Sequence, residues 1–178
     1  MKISIMGAGA VGSYIGHKLA QIRINATLIA RGSHLESMQK NGLYLETNDG
    51  VKLVPVKATD SIKSIENSDL IIYTVKTYHN DSVAKQIAEH INPYAKVLCL
   101  QNGITSWKDL ETIIGKNTII PGLIYIETQI KKIEKICQLS PRSSLCSFFI
   151  SCRLVHTTSL ALLNINYILS YLFKPSPE

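Results

Sequence analysis

The sequence predicts an α/β fold, a doubly wound and mainly parallel sheet with helices on both faces, followed by an atypical apolar C-terminal tail. Three observations predict it. Short apolar runs alternate with segments of helical period; three glycines crowd into residues 7–12 directly behind the first run; and the alternation stops near residue 140. At 178 residues, 46% apolar and 18% charged, the chain reads as globular and of ordinary single-domain size.

"KISIM" (2–6) is a short apolar strand, and Val11, Ile15, Leu19 and Ile22 then recur at helical spacing. "NATLIAR" (25–31) is a second strand, ending on Arg31. Ser33 and Glu36 form an S-x-x-E capping box for a short helix that stops at Asn41-Gly42. "LYLET" (43–47) and "VKLVPV" (51–56) flank Asn48-Asp49-Gly50, a turn signal that predicts an antiparallel hairpin. "LIIYTV" (70–75) is a buried-type strand; Val83, Ala84, Ile87, Ala88 and Ile91 then share a helix face, closed by Pro93. "KVLCLQ" (96–101) is the next strand, 106–114 a helix ended by Gly115, and 117–130 a strand interrupted at Pro121-Gly122. Repeated strand–helix–strand units need crossover connections, which build a parallel sheet.

The formal net charge of +6 comes from 19 Lys+Arg against 13 Asp+Glu, spread without a block of like charge. Nucleic acid is therefore not an expected partner, whereas a phosphorylated small molecule needs only a few cations. Cys99, Cys137, Cys146 and Cys152 contain no C-x-x-C pair, so neither a metal site nor a disulfide framework is expected. The apolar N-terminal stretch is short and runs into a patterned helix, so it is not read as an export signal; the expected location is cytoplasmic. An apolar run at 154–173 is long enough for a bilayer, but His156, Asn164 and Asn166 interrupt it, and no membrane span is expected.

Gly7-Ala8-Gly9-Ala10-Val11-Gly12 matches G-x-G-x-x-G between a strand and an amphipathic helix, with a second strand behind, the setting of a Rossmann-type dinucleotide site. Gly7 permits the tight turn, Gly9 lets a pyrophosphate approach the backbone, and Gly12 lets helix and strand pack closely. Amide groups at the helix start, with the positive end of its dipole, face the phosphates. NAD-binding units carry an acid about 20 residues on to accept from the ribose 2′-hydroxyl. Here Arg31 stands nineteen residues after Gly12. A guanidinium pairs with a 2′-phosphate that an acid would repel, so the expected cofactor is NADP(H). Ser33 and His34 are placed to add a hydroxyl and an imidazole to that pocket, although Ser33 is also read as a helix cap. Lys76 and Asn102 follow strands, where open α/β sheets bind ligands; a solvated lysine and half of an Asn-Gly turn are the alternative readings.

Together, "KISIMGAGAVGSYIG", "LIARG", "GLYLETNDG", "DLIIYTVKTYH" and "LCLQNG", in this order and spacing, resemble the N-terminal domain of the ketopantoate reductase (2-dehydropantoate 2-reductase) family over residues 1 to 139. The resemblance implies an NADP-binding domain and NADPH-dependent reduction of a small 2-keto acid, 2-dehydropantoate, to pantoate. It implies that Gly7, Ala8, Gly9, Ala10, Val11 and Gly12 hold the pyrophosphate and Arg31 the 2′-phosphate. Lys76 would line the cofactor site, Asn102 would lie near both nicotinamide and substrate, and Thr128 would be a further cofactor contact.

The departures are as specific as the matches. The family carries an all-helical second domain whose lysine, in a W-x-K type motif, acts as general acid. In these 178 residues the single tryptophan, Trp107, is followed directly by Lys108, and the motif is absent. "KKIEKI" (131–136) replaces a Pro-Gly turn common in relatives. Residues 140–178 therefore read as a divergent tail, with one helix as a candidate conformation, in place of that domain. No catalytic residue is assigned, and a premature stop or frameshift is an expected origin. The chain alone is expected to be a weak or inactive reductase. The alternative is a non-catalytic NADP(H)-binding module, or a fragment that self-associates or meets a partner through the apolar tail. A third reading is a sugar-acid or hydroxyacyl dehydrogenase with a similar first domain.

Overall fold

The apolar runs at 2–6, 25–31, 70–75 and 96–101 each form a strand of one sheet in the computed structural model of the chain, which describes residues 1–47, 50–103, 105–115, 118–126, 128–132, 135–138 and 147–150. The strands are β1 (Ile3–Met6), β2 (Ala26–Ile29), β3 (Leu43–Thr47), β4 (Gly50–Val54), β5 (Lys57–Thr59), β6 (Leu70–Tyr73), β7 (Lys96–Cys99), β8 (Ile119–Tyr125), β9 (Thr128–Lys132), β10 (Lys135–Gln138) and β11 (Ser147–Ile150). The helices are α1 (Ala10–Gln21), α2 (Gly32–Asn41), α3 (Asn80–His90) and α4 (Ser106–Ile114), with 3₁₀ turns at Ile62–Ile65 and Thr77–His79. The main sheet has the order β11-β8-β7-β6-β1-β2-β5. Six of its strands are parallel, and β11 joins β8 antiparallel at one edge. This is the doubly wound, Rossmann-type arrangement that the alternating pattern predicts.

The apolar strands are buried on both faces, and alternate residues serve different layers. Ile3, Ile5, Leu70, Ile72, Leu98 and Leu100 pack with Tyr14, Ile15 and Leu19 of α1. Met6, Ile71, Tyr73, Val97 and Cys99 pack with Val83, Ala84 and Ile87 of α3 and Leu110 of α4. Burying one large apolar side chain stabilises by about 1.5–3 kcal/mol; of the helical stripes read from the sequence, Ile15, Leu19, Val83, Ala84 and Ile87 are buried, whereas Ile22 and Ala88 are exposed.

A second sheet, of order β4-β3-β10-β9, lies against α1. The predicted hairpin supplies β3 and β4, antiparallel with Leu45 opposite Lys52. Leu43, Leu45 and Ile136 from this sheet join the α1 core. Buried His17 of α1 reaches across to it: its Nε2–H donates to the Lys52 carbonyl oxygen at 2.9 Å, while Nδ1 has no partner among the described residues.

Four details depart from the sequence reading. Ile22 is the C-cap of α1 and not part of it. The predicted strand at 51–56 ends at Val54, and beyond Pro55 the chain crosses to the main sheet as β5, parallel to β2. β8 is not interrupted at Pro121-Gly122; its break comes later, before Thr128. Pro121 pairs with Cys99, and β11 pairs with β8 only from Gly122 onward, so the residue without an N–H precedes the outer ladder. Finally, four residues of the tail, Ser147–Ile150, are a strand. The expected tail helix and the apolar run at 154–173 lie outside the described residues, among which no helix is long and apolar enough to cross a membrane.

Candidate functional site

β1 pairs with β2 on one side and β6 on the other, so successive crossovers leave the sheet centre in opposite directions. Such a switch point opens a crevice above the carboxyl ends of the two central strands. Four of the five positions picked from the sequence directly follow a parallel strand and so come to this edge, and Thr128 does not. The glycine loop follows β1, Arg31 follows β2, Lys76 follows β6, Asn102 follows β7, and Thr128, beyond β8, opens β9.

The three glycines answer to different demands. Gly7 has φ +94°, and a Cβ there would stand 3.0 Å from the Val75 backbone nitrogen. A Cβ on Gly12 would press into the Gly7 carbonyl oxygen and come within 2.7 Å of Thr74 Oγ1. The fold itself requires both. Gly9 differs: its backbone is extended (φ −74°, ψ −159°), and an added Cβ meets nothing within 4 Å. Neither conformation nor packing calls for glycine there, so the open space at Gly9 fits a group from outside the chain. Gly16, one turn on, packs against Leu28 of β2.

The loop is held on both flanks. Ala8 N–H donates to the Ile29 carbonyl at 3.0 Å, and Thr74 Oγ1 donates to the Gly7 carbonyl at 2.8 Å. Gly9 N–H turns back to the Gly7 carbonyl at 2.8 Å, and the first helical bond runs from Ser13 N–H to the Gly9 carbonyl at 2.9 Å. The amides of Ala10, Val11 and Gly12 precede that bond, have no intrahelical acceptor, and meet no side-chain cap. These three, with the helix dipole behind them, suit a phosphate. The amides of Ala8 and Gly9 are already occupied.

Arg31 is exposed in extended conformation (φ −138°, ψ 160°) as the N-cap of α2, and it forms no ion pair among the described residues. The capping box read at Ser33 is therefore displaced. The chain turns one residue earlier, at Gly32 (φ +62°), Ser33 falls inside the first turn, and no side chain caps the helix. His34 of that turn hydrogen-bonds Ser13 Oγ at 3.2 Å.

Lys76 and Asn102 are both exposed, and the segments that carry them are tied together beneath the surface. Gln101 Nε2 donates to the Val75 carbonyl at 2.6 Å and to Asn80 Oδ1. Asn80 Nδ2 returns a bond to Gln101 Oε1 at 3.2 Å, and Tyr73 Oη donates to Asn80 Oδ1 at 3.2 Å. All three side chains are buried. Burial, with Cys99 beside it, pushes the Tyr73 hydroxyl well above its ordinary range, and burial also raises the Cys99 thiol. Both stay protonated, so neutral groups form the network. Sequence reasoning missed Thr74, Asn80 and Gln101, because a polar residue beside a strand carries no sign that it will be buried. Thr128 is half-buried and pairs with Gln138 across β9 and β10, among neighbours unlike those of the other four positions.

Comparison with known proteins places this geometry. The family described as Ketopantoate reductase PanE/ApbA matches residues 3–144. The 2-dehydropantoate 2-reductase of Pyrococcus horikoshii is 42% identical over 116 residues, which are 65% of this chain and 38% of that protein. A PanE/ApbA family ketopantoate reductase from Ralstonia eutropha superposes with a TM-score of 0.74 at 31% identity, covering 79% of this chain and 47% of that one. A D-mandelate dehydrogenase solved with NADH and anilino(oxo)acetate does so with a TM-score of 0.70 at 26% identity, over 79% of this chain and 46% of that one. The chain thus spans less than half the length of these relatives. The matched stretch takes in all six parallel strands and the glycine loop, and the chain belongs to the ketopantoate reductase PanE/ApbA family.

Proposed function

We propose that this chain binds NADPH across the β1–β6 switch point and forms the cofactor-binding part of a 2-dehydropantoate 2-reductase. The observation that carries the reading is Gly9, a glycine that nothing in the chain itself requires, facing open space beside three unbonded helix amides. Gly7 to Gly12 would hold the pyrophosphate, and Arg31 the 2′-phosphate. Lys76 would line the cofactor site and Asn102 would lie near the nicotinamide and the substrate, with Thr128 as a further cofactor contact. When bound, the nicotinamide supplies a hydride to the ketone carbon of a 2-keto acid, and the ketone oxygen takes a proton. The chain's own residues bind and orient: Arg31 pairs with charge, and Asn102 offers an amide to a polar substrate group.

A second reading, NADH as cofactor, is favoured by the NADH-bound D-mandelate dehydrogenase among the structural relatives. Arg31 argues against it, since a charge-assisted pair with a 2′-phosphate is worth about 1.5–3 kcal/mol. Calorimetric titration decides: NADPH is expected to bind about ten- to a hundredfold more tightly than NADH, and a preference for NADH would overturn the NADPH reading. These 178 residues contain no W-x-K motif, so a protein made of them alone is read as a weak or inactive reductase. The non-catalytic NADP(H) module is the corresponding alternative. Drawing on cellular NADPH suits a cytoplasmic protein.

A further inference from the structure

The two loops that would grip the two phosphate-bearing ends of the cofactor are joined by backbone bonds from the Gly7 and Ala8 amides to the Ile29 carbonyl and, beyond them, by a side-chain relay. Ser13, in the first turn of α1, is buried, and its hydroxyl donates to the Ala8 carbonyl at 2.9 Å. A carbonyl oxygen only accepts, so the one hydroxyl proton is committed to Ala8. Toward His34, 3.2 Å away, Ser13 Oγ is then the acceptor, and His34 Nε2 carries the proton it donates. His34 sits in the first turn of α2, and Arg31 is the N-cap of the same helix. The relay Ala8–Ser13–His34 therefore runs from the glycine loop to the turn that presents Arg31. At Arg31 itself the backbone is extended, the next residue is a left-handed glycine, and no side chain caps the helix. Ala30 N–H bonds the Thr59 carbonyl at 3.0 Å just before Arg31, and the relay is the side-chain link from the first turn of α2 back to the glycine loop.

We propose that His34 is a positioning residue for 2′-phosphate recognition: by donating to Ser13 Oγ it holds the first turn of α2, and with it Arg31, against the glycine loop. This rests on the NADPH reading above. Its signature is selectivity. A ligand without the 2′-phosphate meets the glycine loop but makes no use of Arg31, so the relay matters to NADPH and not to NADH.

The test is a set of calorimetric affinities for NADPH and NADH on wild type, His34→Ala, His34→Gln and Ser13→Ala, with thermal melting as a check on folding. His34→Gln keeps an N–H donor close to the Nε2 position. Ser13→Ala breaks the same link from the other side and serves if His34→Ala does not fold. His34→Ala is expected to weaken NADPH about three- to tenfold and to leave NADH nearly unchanged, and Ser13→Ala, which also frees the Ala8 carbonyl of the glycine loop, to weaken NADPH by several-fold more than NADH. The double variant should lose no more than Ser13→Ala alone, and His34→Gln should recover most of the loss seen in His34→Ala. If His34→Ala weakens both cofactors equally, or neither, the relay does not position Arg31 and the proposal fails alone. A wild type that prefers NADH overturns the cofactor reading and this inference with it.

Discussion

Gly9 and Gly12 lie three residues apart in one loop, yet they are glycines for opposite reasons, and substitution separates them. A Cβ on Gly12 would collide with the Gly7 carbonyl and Thr74, so Gly12→Ala is expected to destabilise by about 1–3 kcal/mol, read from urea unfolding. A Cβ on Gly9 meets nothing. Gly9→Val should leave stability within about 0.5 kcal/mol and abolish detectable NADPH binding, because its side chain occupies the approach to the helix amides. Equal loss of stability in both variants would mean that Gly9 serves the fold after all. At Arg31 the expectation is sharper still. Arg31→Glu should weaken NADPH by at least about ten- to a hundredfold without weakening NADH, and a loss common to both in calorimetry would remove the guanidinium from the 2′-phosphate. These residues were legible from the sequence, because G-x-G-x-x-G and a charge at a strand end are spacing signals. The buried amides of Asn80 and Gln101 were not, since only the folded chain brings positions 21 residues apart into contact.

Among the elements, α1 does two jobs: its N-terminus faces the crevice and its flank carries the second sheet. His17 is the polar point of that contact, neutral because burial lowers its affinity for a proton, with the nearby Lys18 and Lys52 charges adding to the effect against the Lys52 carbonyl bond that favours protonation. A histidine depressed in the folded state contributes stability above its unfolded value of 6.5 and loses it as pH falls through and below that value. The thermal midpoint should drop between pH 7.5 and 5.5, and His17→Gln should flatten that drop; an unchanged slope in the variant would clear His17 of the effect. Between β6 and β7, Gln101→Leu strips the Val75 carbonyl and Asn80 of partners. It should cost about 1–3 kcal/mol in chemical unfolding, and a neutral result would mean that water replaces the amide. The sequence predicted the long, regularly patterned elements and missed the short ones. β5 is three residues of mixed polarity, too short for any period to register. The start of β9 falls within the strand read at 117–130, but "KKIEKI" reads only as the replacement of a turn, and nothing local in it announces β10 or its pairing with β3. At Pro121 the local rule for proline gave way to the ladder geometry of an almost outermost strand.

On the scale of the whole molecule, the order of strands matters more than any one of them. Because winding reverses between β1 and β6, a crevice opens at the edge where the loops after β1, β2, β6 and β7 converge, where ligands bind in folds of this kind. That convergence followed from alternation alone, whereas the pairing of β10 with β3 and of β11 with β8 depends on contacts across more than 20 residues and left no local trace. A protein made of these 178 residues is expected to oxidise NADPH with 2-dehydropantoate about 10²–10⁴-fold more slowly than a relative with its general acid in place; an absorbance assay showing comparable rates would refute that. The account as a whole turns on a dinucleotide lying over the switch point. Backbone amide NMR of the folded chain titrated with NADPH tests this most directly. The account expects the shifts to cluster at Gly7–Gly12, Arg31, Lys76 and Asn102; saturating NADPH that moves none of these resonances, or only those of the second sheet, would contradict it.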